Sequence, residues 1–362
     1  MTSPDEGATS AIETMSARRI DKSHFAADAI PTLLVSADSH VDEPFDLWDG
    51  LPARILDKMP KRRPLENRPA GGMDPKLRIP DMDRDGIAAE IIYPSACMKF
   101  YELDQDVQEA VFPIYNDWVA DYCKIASKRL YAVPVLPTFD IDFAIRELHR
   151  CHDMGLVGAM VWRSPDPRLP FTDPGHYERL WSAAEELGAP INLHTLTGHC
   201  WRMLDLKGIE FARGASNMSI SEGMNTLFDI VWSGVCDRHP KIRFELVESE
   251  LGWLPFVIQQ WDYYYRRFSR PGQTFTEFPI ERLPSEIFGR HIYATFMDDF
   301  VGTQSLKFWG ENNCMWSSDY PHPNMTWPNS RAFIAKNIGD LPMEKKTKLL
   351  SQNVIDLYGL KL

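Results

Sequence analysis

The chain has 362 residues, of which 44% are hydrophobic and 25% are charged, a composition typical of a globular protein with a full-sized core. Its formal net charge of −12 argues against nucleic acid as a partner, because nucleic-acid-binding proteins need a basic face. The sequence contains no run of about 18 apolar residues and no signal-peptide pattern. We therefore expect a cytosolic protein that neither spans nor binds a membrane.

Eight short apolar runs, rich in β-branched and aromatic residues, predict buried strands. They cover residues 32–38, 88–94, 131–136, 157–162, 190–195, 242–248, 291–296 and 314–319. Residues 1–29 are rich in Ser, Thr, Ala and Asp without periodicity, and we interpret them as a flexible N-terminal arm. The folded unit is expected over residues 30–362.

Amphipathic segments of helical length lie between most of these runs, and several begin with Asp, Ser or Thr at the N-cap. They cover residues 105–127, 140–153, 174–188, 218–237, 250–268, 300–312 and 343–357. Eight alternations predict an α/β fold, a (β/α)8 TIM barrel, because closure leaves no edge strand. Two segments exceed simple loops: an insertion at 44–87 after strand 1, expected to be irregular, and a long loop at 196–218 after strand 5. Such segments build the substrate site of barrels.

Acidic residues and histidines fall at the ends of four predicted strands. Asp38 and His40 end the first strand, His194 the fifth, Glu248 the sixth and Asp319 the eighth. The carboxyl ends of barrel strands converge on one mouth, so we predict that these side chains meet there. Asp38 and His40 are two residues apart, which places both side chains on one face of an extended strand.

Each of these residues also has a purely structural explanation. Asp38 and His40 could cap a turn, His194 could be a satisfied core histidine, and the two remaining acids could be ordinary strand ends. Chance is a poorer explanation for four strand ends that all carry metal-binding groups at one mouth. We predict one divalent metal ion, Zn2+, Fe2+ or Mn2+, with Asp38, His40, His194, Glu248 and Asp319 as ligands.

A further histidine, His322, lies three residues after Asp319. A histidine at this spacing can share a proton with the carboxylate or orient it, as the partners of metal ligands commonly do. The alternative is a loop histidine that faces solvent. We predict a catalytic group that consists of Asp319, Glu248 and His322.

Four segments together resemble the amidohydrolase superfamily, in the amidohydrolase-related branch that includes aminocarboxymuconate-semialdehyde and resorcylate decarboxylases. They are ADSHVDEPFDLW at 37–48, INLHT at 191–195, HPKIRFELVES at 239–249 and SSDYPHP at 317–323. The resemblance runs from about residue 32 to 357. It implies that Asp38 and His40 form the first-strand metal pair, that His194 is the fifth-strand ligand, and that Asp319 is an eighth-strand ligand that also handles protons.

Three positions depart from the pattern that the resemblance implies. The first member of the metal pair is Asp38 where the family usually has His, and the fourth strand offers no lysine for carbamylation, so one metal is expected. Glu248 stands where the decarboxylases have a proton-handling histidine. A carboxylate there suits the activation of metal-bound water better than the protonation of a carbanion-like centre.

We therefore predict a hydrolase in which metal-activated water attacks the acyl carbon of a small organic-acid substrate, either an amide, an ester, a lactone or a thioester. The first alternative is a metal-dependent non-oxidative decarboxylase of an aromatic or enolic acid. The second is an inert metal-binding scaffold barrel, because a fold does not fix a function. A homodimer is expected because most soluble oligomers are symmetric pairs.

Overall fold

Eight parallel strands form the centre of the protein in the computed structural model, which describes residues 30–61, 68–199, 207–270 and 279–362. The strands are β1 (Val35–Val41), β2 (Ala89–Pro94), β3 (Leu130–Ala132), β4 (Ala159–Val161), β5 (Ile191–His194), β6 (Phe244–Val247), β7 (Ile292–Phe296) and β8 (Cys314–Trp316). All eight predicted strands are confirmed. The arm predicted for residues 1–29 lies outside the described residues.

Backbone hydrogen bonds close the strands into one barrel. Strands β1, β2 and β3 pair in parallel in that order, and so do the five strands from β4 through β8. Beyond β3, the backbone N–H of Leu136 donates to the carbonyl of Met160 on β4 at 3.0 Å. On the other side, the N–H of Asp319, just after β8, donates to the carbonyl of Asp38 on β1 at 3.0 Å. The predicted (β/α)8 barrel is therefore confirmed.

Helices surround this barrel and cover the outer face of its strands, which is why the strands are buried along nearly their whole length. They are α1 (Ala53–Leu56), α2 (Pro75–Asp85), α3 (Gln105–Cys123), α4 (Ile141–Asp153), α5 (Pro174–Leu187), α6 (Gly208–Trp232), α7 (Val235–Arg238), α8 (Leu254–Phe268), α9 (Pro284–His291), α10 (Phe300–Ser305), α11 (Ser330–Ile338), α12 (Met343–Thr347) and α13 (Asn353–Tyr358). Short 3-10 helices cover Ala70–Gly72, Cys97–Glu102 and Lys124–Ala126, and a π-helical turn covers Lys348–Gln352. In these ranges, no helix combines the length and apolar character needed to cross a membrane.

Two long segments differ from their predicted form. The insertion after β1 contains α2, which has regular end signals: the Asp74 carboxylate accepts the N–H of Lys76 at 2.9 Å, Pro75 occupies the first turn, and Gly86 ends the helix with a φ of 75°. After β5, α6 begins at Gly208, ten residues before the predicted start, so much of the predicted loop is helical. Part of each segment, residues 62–67 and 200–206, lies outside the described residues.

A buried polar cluster inside the barrel joins residues of β2, β5, β6 and α13. The Glu245 carboxylate accepts hydrogen bonds from the Asn192 amide at 2.7 Å and from the hydroxyl of Tyr358. Burial raises the pKa of Glu245 to about 8, because a charged carboxylate is poorly solvated there. The ring of Tyr93, also part of this cluster, lies 5.2 Å from the ring of His194. Through Tyr93, the cluster thus packs against His194, a predicted metal ligand.

The insertion is anchored to the barrel through Arg78 of α2, whose side chain is fully buried. Its Nε donates to the Glu90 carboxylate on β2 at 2.6 Å, and its Nη1 donates to the backbone carbonyl of His40 at 2.6 Å. Its guanidinium carbon lies 4.9 Å from the centre of the Tyr320 ring, directly after Asp319. One side chain therefore contacts β1, β2 and the segment that follows β8.

Replacing Arg78 with Met should lower the free energy of unfolding by about 3–5 kcal/mol, because Glu90 would remain as a buried carboxylate without its cation. Urea denaturation followed by tryptophan fluorescence measures this loss. The double variant Arg78→Met, Glu90→Leu is the control and should recover most of the stability, since it removes both buried charges. A single variant that loses less than about 1 kcal/mol would contradict the anchoring role.

Candidate metal centre

Three of the predicted ligands, Asp38, His40 and His194, place one side-chain atom each in a single buried cluster at the barrel mouth, and Asp319 forms an overlapping group with His40 and His322. Nε2 of His40 lies 3.3 Å from Oδ1 of Asp38, 3.4 Å from Oδ1 of Asp319 and 3.3 Å from Nε2 of His194. Oδ1 of Asp38 lies 3.6 Å from Nε2 of His194. Ligands that bind one ion at about 2.0–2.2 Å lie roughly 3 Å or slightly more from one another, so this spacing matches a shared ion.

Hydrogen bonds orient both imidazole rings toward the centre of the cluster. Nδ1 of His40 lies 2.7 Å from the carbonyl of Pro94, and Nδ1 of His194 lies 2.9 Å from the carbonyl of Thr195. A carbonyl only accepts, so each Nδ1 carries a hydrogen, and in the neutral ring each Nε2 is the atom with the free lone pair. This is the tautomer that a metal-binding histidine needs.

The Asp38 carboxylate is the clearest sign that the cluster fits a cation. Its side chain is fully buried, and among the described residues no hydrogen-bond donor reaches either of its oxygens with acceptable geometry. A buried carboxylate without donors is costly unless a cation compensates it. Asp38, His40 and His194 form a buried group with metal-ligand spacing, and the prediction of one divalent metal site is confirmed.

The ionisable groups of the cluster shift one another's pKa values. Burial raises the pKa of Asp38, but the adjacent His40 and His194 outweigh this effect and hold the pKa below its ordinary value. Burial and the nearby His322 lower the pKa of His40 to about 4. Burial opposes the charge on His194, yet its contacts with Asp38 raise its pKa to about 9. A metal ion that binds here would therefore displace a proton from His194.

The backbone is strained where β6 and β8 end. Glu248 has a φ of 55° and Asp319 a φ of 53°, in the left-handed region that non-glycine residues rarely adopt. The Glu248 N–H donates to Oγ1 of Thr295 at 2.8 Å, and the Asp319 N–H donates to Asp38. Such strain persists where neighbouring contacts hold it, and it is concentrated at functional sites. Here it aims two carboxyl groups into the mouth.

Glu248 lies beside the cluster rather than within it. Its Oε2 is 3.9 Å from Nδ1 of His194, on the opposite side of the ring from Nε2, and its side chain lines the adjoining cavity. Burial and the charge of Asp319 raise its pKa. This position suits contact with a substrate better than metal binding. Its assignment as a ligand or as a catalytic group stays a prediction.

His322 contacts Asp319 and extends the cluster toward solvent. Its Nδ1 lies 2.7 Å from Oδ1 of Asp319, and its ring stacks on His40 with 3.9 Å between centroids. Its Nε2 lies 3.0 Å from the hydroxyl of Ser95. Burial and the charge of Arg68 lower its pKa to about 3, so the ring is neutral. This placement agrees with the predicted orienting role, which stays a prediction.

A cavity of about 510 Å³ adjoins the cluster and includes Glu248 and His322 in its wall. Ser95 and Arg68 are among the polar residues of this wall that were not predicted from the sequence. Ser95 directly follows β2, so the rule applied to the other strand ends would have found it. Arg68 lies in the insertion after β1, where no periodic pattern indicates the direction of a side chain.

Comparison with known proteins identifies the family. A family model described as amidohydrolase matches residues 35–360, from the start of β1 to beyond α13. The chain belongs to the amidohydrolase family. The chain is 26% identical over 355 residues to a gamma-resorcylate decarboxylase of Rhizobium sp. strain MTP-10005, covering 93% of this chain and 97% of the relative.

Several solved structures share the fold of this chain. A 5-carboxyvanillate decarboxylase from Sphingomonas paucimobilis superposes with a TM-score of 0.73 at 20% identity, covering 91% of this chain and 100% of the other. A dihydroxybenzoic acid decarboxylase from Polaromonas sp. JS666 superposes with a TM-score of 0.66 at 19% identity, covering 90% and 97%. The Polaromonas structure contains manganese and the inhibitor 2-nitroresorcinol.

The prediction of a hydrolase is wrong. Relatives of this chain and several of its structural neighbours are named as decarboxylases, which favours the alternative raised from the sequence. The prediction rested on the carboxylate of Glu248, which does not by itself distinguish hydrolysis from decarboxylation. One metal ion among carboxylates and imidazoles can activate water or polarise a substrate carboxylate, so the ligand set does not distinguish the two reactions.

Replacing His194 with Ala should lower the metal content of the purified protein by about tenfold or more, because one of the converging donor atoms is lost. Elemental analysis for manganese, zinc and iron per chain measures this. His291→Ala is the matched control: its imidazole is also buried and also contacts a backbone carbonyl, but it lies outside the cluster. Metal bound at full occupancy in His194→Ala would exclude His194 as a ligand.

Proposed function

We propose that this protein is a metal-dependent, non-oxidative decarboxylase of an aromatic acid that carries a hydroxyl group next to its carboxylate. The observation that carries the proposal is a buried cluster for one metal ion that adjoins a cavity and contains a carboxyl group, Asp319, suited to proton transfer. The gamma-resorcylate decarboxylase whose sequence matches over 97% of its length supports the same reaction.

The site offers distinct contacts for the two parts of such a substrate. A divalent ion held by Asp38, His40, His194 and Asp319 would act as a Lewis acid toward the carboxylate and the adjacent hydroxyl oxygen. Pro60, Ala96 and Leu196 line the cavity, are partly exposed, and would provide apolar surface for the ring. Glu248, in the same wall, is placed to accept a hydrogen bond from a substrate hydroxyl.

Decarboxylation requires a proton at the ring carbon that bears the carboxylate. Burial raises the pKa of Asp319 to about 7 when no metal is bound, so this carboxyl group holds a proton more readily than an ordinary aspartic acid does. We propose that Asp319 donates this proton to the ring carbon. The bond to the carboxylate then breaks, its electron pair returns to the ring, and carbon dioxide leaves. His322, 2.7 Å from Asp319, orients the carboxyl group.

The reaction is tested by incubating the manganese-loaded protein with 2,6-dihydroxybenzoate. We expect equimolar resorcinol and carbon dioxide, and no turnover after metal removal with a chelator. Asp319→Asn should lower kcat by about 10²–10⁴, the usual contribution of a positioned acid. Asp340→Asn is the control, because Asp340 lies on the surface in an ion pair with Lys307. Full activity of Asp319→Asn would contradict the proposed proton donor.

A second variant tests the pocket wall. Glu248→Gln keeps the size of the side chain, and the urea midpoint should change little, because among the described residues the carboxylate has no ion pair to lose except its 3.9 Å approach to His194. We expect kcat/KM to fall by about tenfold or more, the cost of weakening one charged hydrogen bond to the substrate. If kcat/KM equals that of the parent, Glu248 has only a structural role.

A further inference from the structure

The cavity beside the metal centre is larger than one aromatic acid requires. Its volume of about 510 Å³ lies within the range of about 300–1,000 Å³ that is common for pockets with drug-sized ligands. A single benzoate ring would fill only part of it. The cavity therefore has room for a substituent that extends from the ring.

Basic side chains line this cavity although the chain as a whole is acidic. Lys61, Arg68 and Lys99 all belong to its wall, whereas Glu248 is its only acidic member among the described residues. The formal net charge of the chain is −12, so a locally positive wall is not a consequence of composition. A concave surface with one sign of charge concentrates ligands of the opposite sign.

The two lysines differ from neighbouring bases in their partners. Arg68 pairs with Asp42, and Nζ of Lys58 lies 2.8 Å from the carboxylate of Asp106. Within the described ranges, neither Lys61 nor Lys99 has a carboxylate within 4.0 Å, and both side chains are exposed. Their charges are therefore available to a ligand in the cavity.

The backbone that carries Lys99 is held in place from the metal-binding strand. The Glu43 carboxylate, three residues after His40, accepts the backbone N–H groups of Ala96 and Cys97 at 2.8 Å and 2.9 Å. These bonds cap the 3-10 helix Cys97–Glu102, which presents Lys99 to the cavity and buries Phe100. The distance between this helix and the metal centre is thus set by a short, buried connection.

We propose that Lys61 and Lys99 form a subsite for a second anionic group, carried on an extension of the aromatic ring. This inference rests on the proposed decarboxylase function and names the substrate more closely. The metal end of the site takes the reacting carboxylate, the apolar wall packs against the ring and its extension, and the lysines bind the distal anion. An aromatic acid without such an extension leaves the lysines without a partner.

The test compares three compounds with the manganese-loaded protein: 2,6-dihydroxybenzoate, its 4-(2-carboxyethyl) derivative, and the neutral amide of that derivative. We expect kcat/KM for the extended acid to exceed that for the amide by about tenfold, or about 1.4 kcal/mol. In Lys61→Met, Lys99→Met this preference should disappear, and in the parent it should weaken with added salt. Lys58→Met, which removes a lysine that is already paired, should keep the preference.

Two outcomes would overturn the subsite. One is equal kcat/KM for the acid and the amide in the parent, and the other is a preference that survives in the double lysine variant. Equilibrium dissociation constants for the same compounds, measured by calorimetry, separate this proposal from the reaction itself. If no compound is decarboxylated but the extended acid still binds more tightly than the amide through the two lysines, the proposed reaction fails and the subsite stands. Equal binding would refute the subsite whether or not turnover occurs.

Discussion

The hydrogen bonds that join β8 to β1 are the constraint on which the rest of the site depends. The N–H of Asp319 bonds the carbonyl of Asp38, and the N–H of His40 bonds the carbonyl of Tyr320 at 2.5 Å. The residues that close the barrel are thus the same residues whose side chains form the candidate metal centre. Closure and ligand geometry cannot be varied separately, because a shift in strand register would move three donor atoms at once.

This arrangement places two buried carboxyl groups, Asp38 and Asp319, against the same Nε2 atom of His40. Their repulsion and desolvation oppose folding when the centre lacks a cation, and a bound divalent ion reverses both effects. Metal binding and stability are therefore linked, since an ion that binds only the folded chain stabilises it. Arg78, which pairs with Glu90 and bonds the carbonyl of His40, supplies positive charge just behind the centre.

The set of candidate metal ligands indicates that one ion fits the site, but it does not indicate which reaction the ion promotes. Carboxylates and imidazoles around one ion suit several reactions, because the ion acts as a Lewis acid in each. The reaction depends on what the cavity presents next to the ion. Here the wall combines apolar surface with Glu248, His322 and two lysines, an environment that fits an aromatic acid with further polar groups.

The sequence alone determined the barrel and the four side chains Asp38, His40, His194 and Asp319, because strand periodicity and the convergence of strand ends are local rules that hold in every closed barrel. It did not determine how each group is used. Contacts between segments far apart in the chain decide which side of the His194 ring faces Glu248, which hydroxyl contacts His322, and which lysines line the cavity. Only the tertiary structure decides these, since side-chain direction in loops and insertions follows packing rather than any periodic pattern.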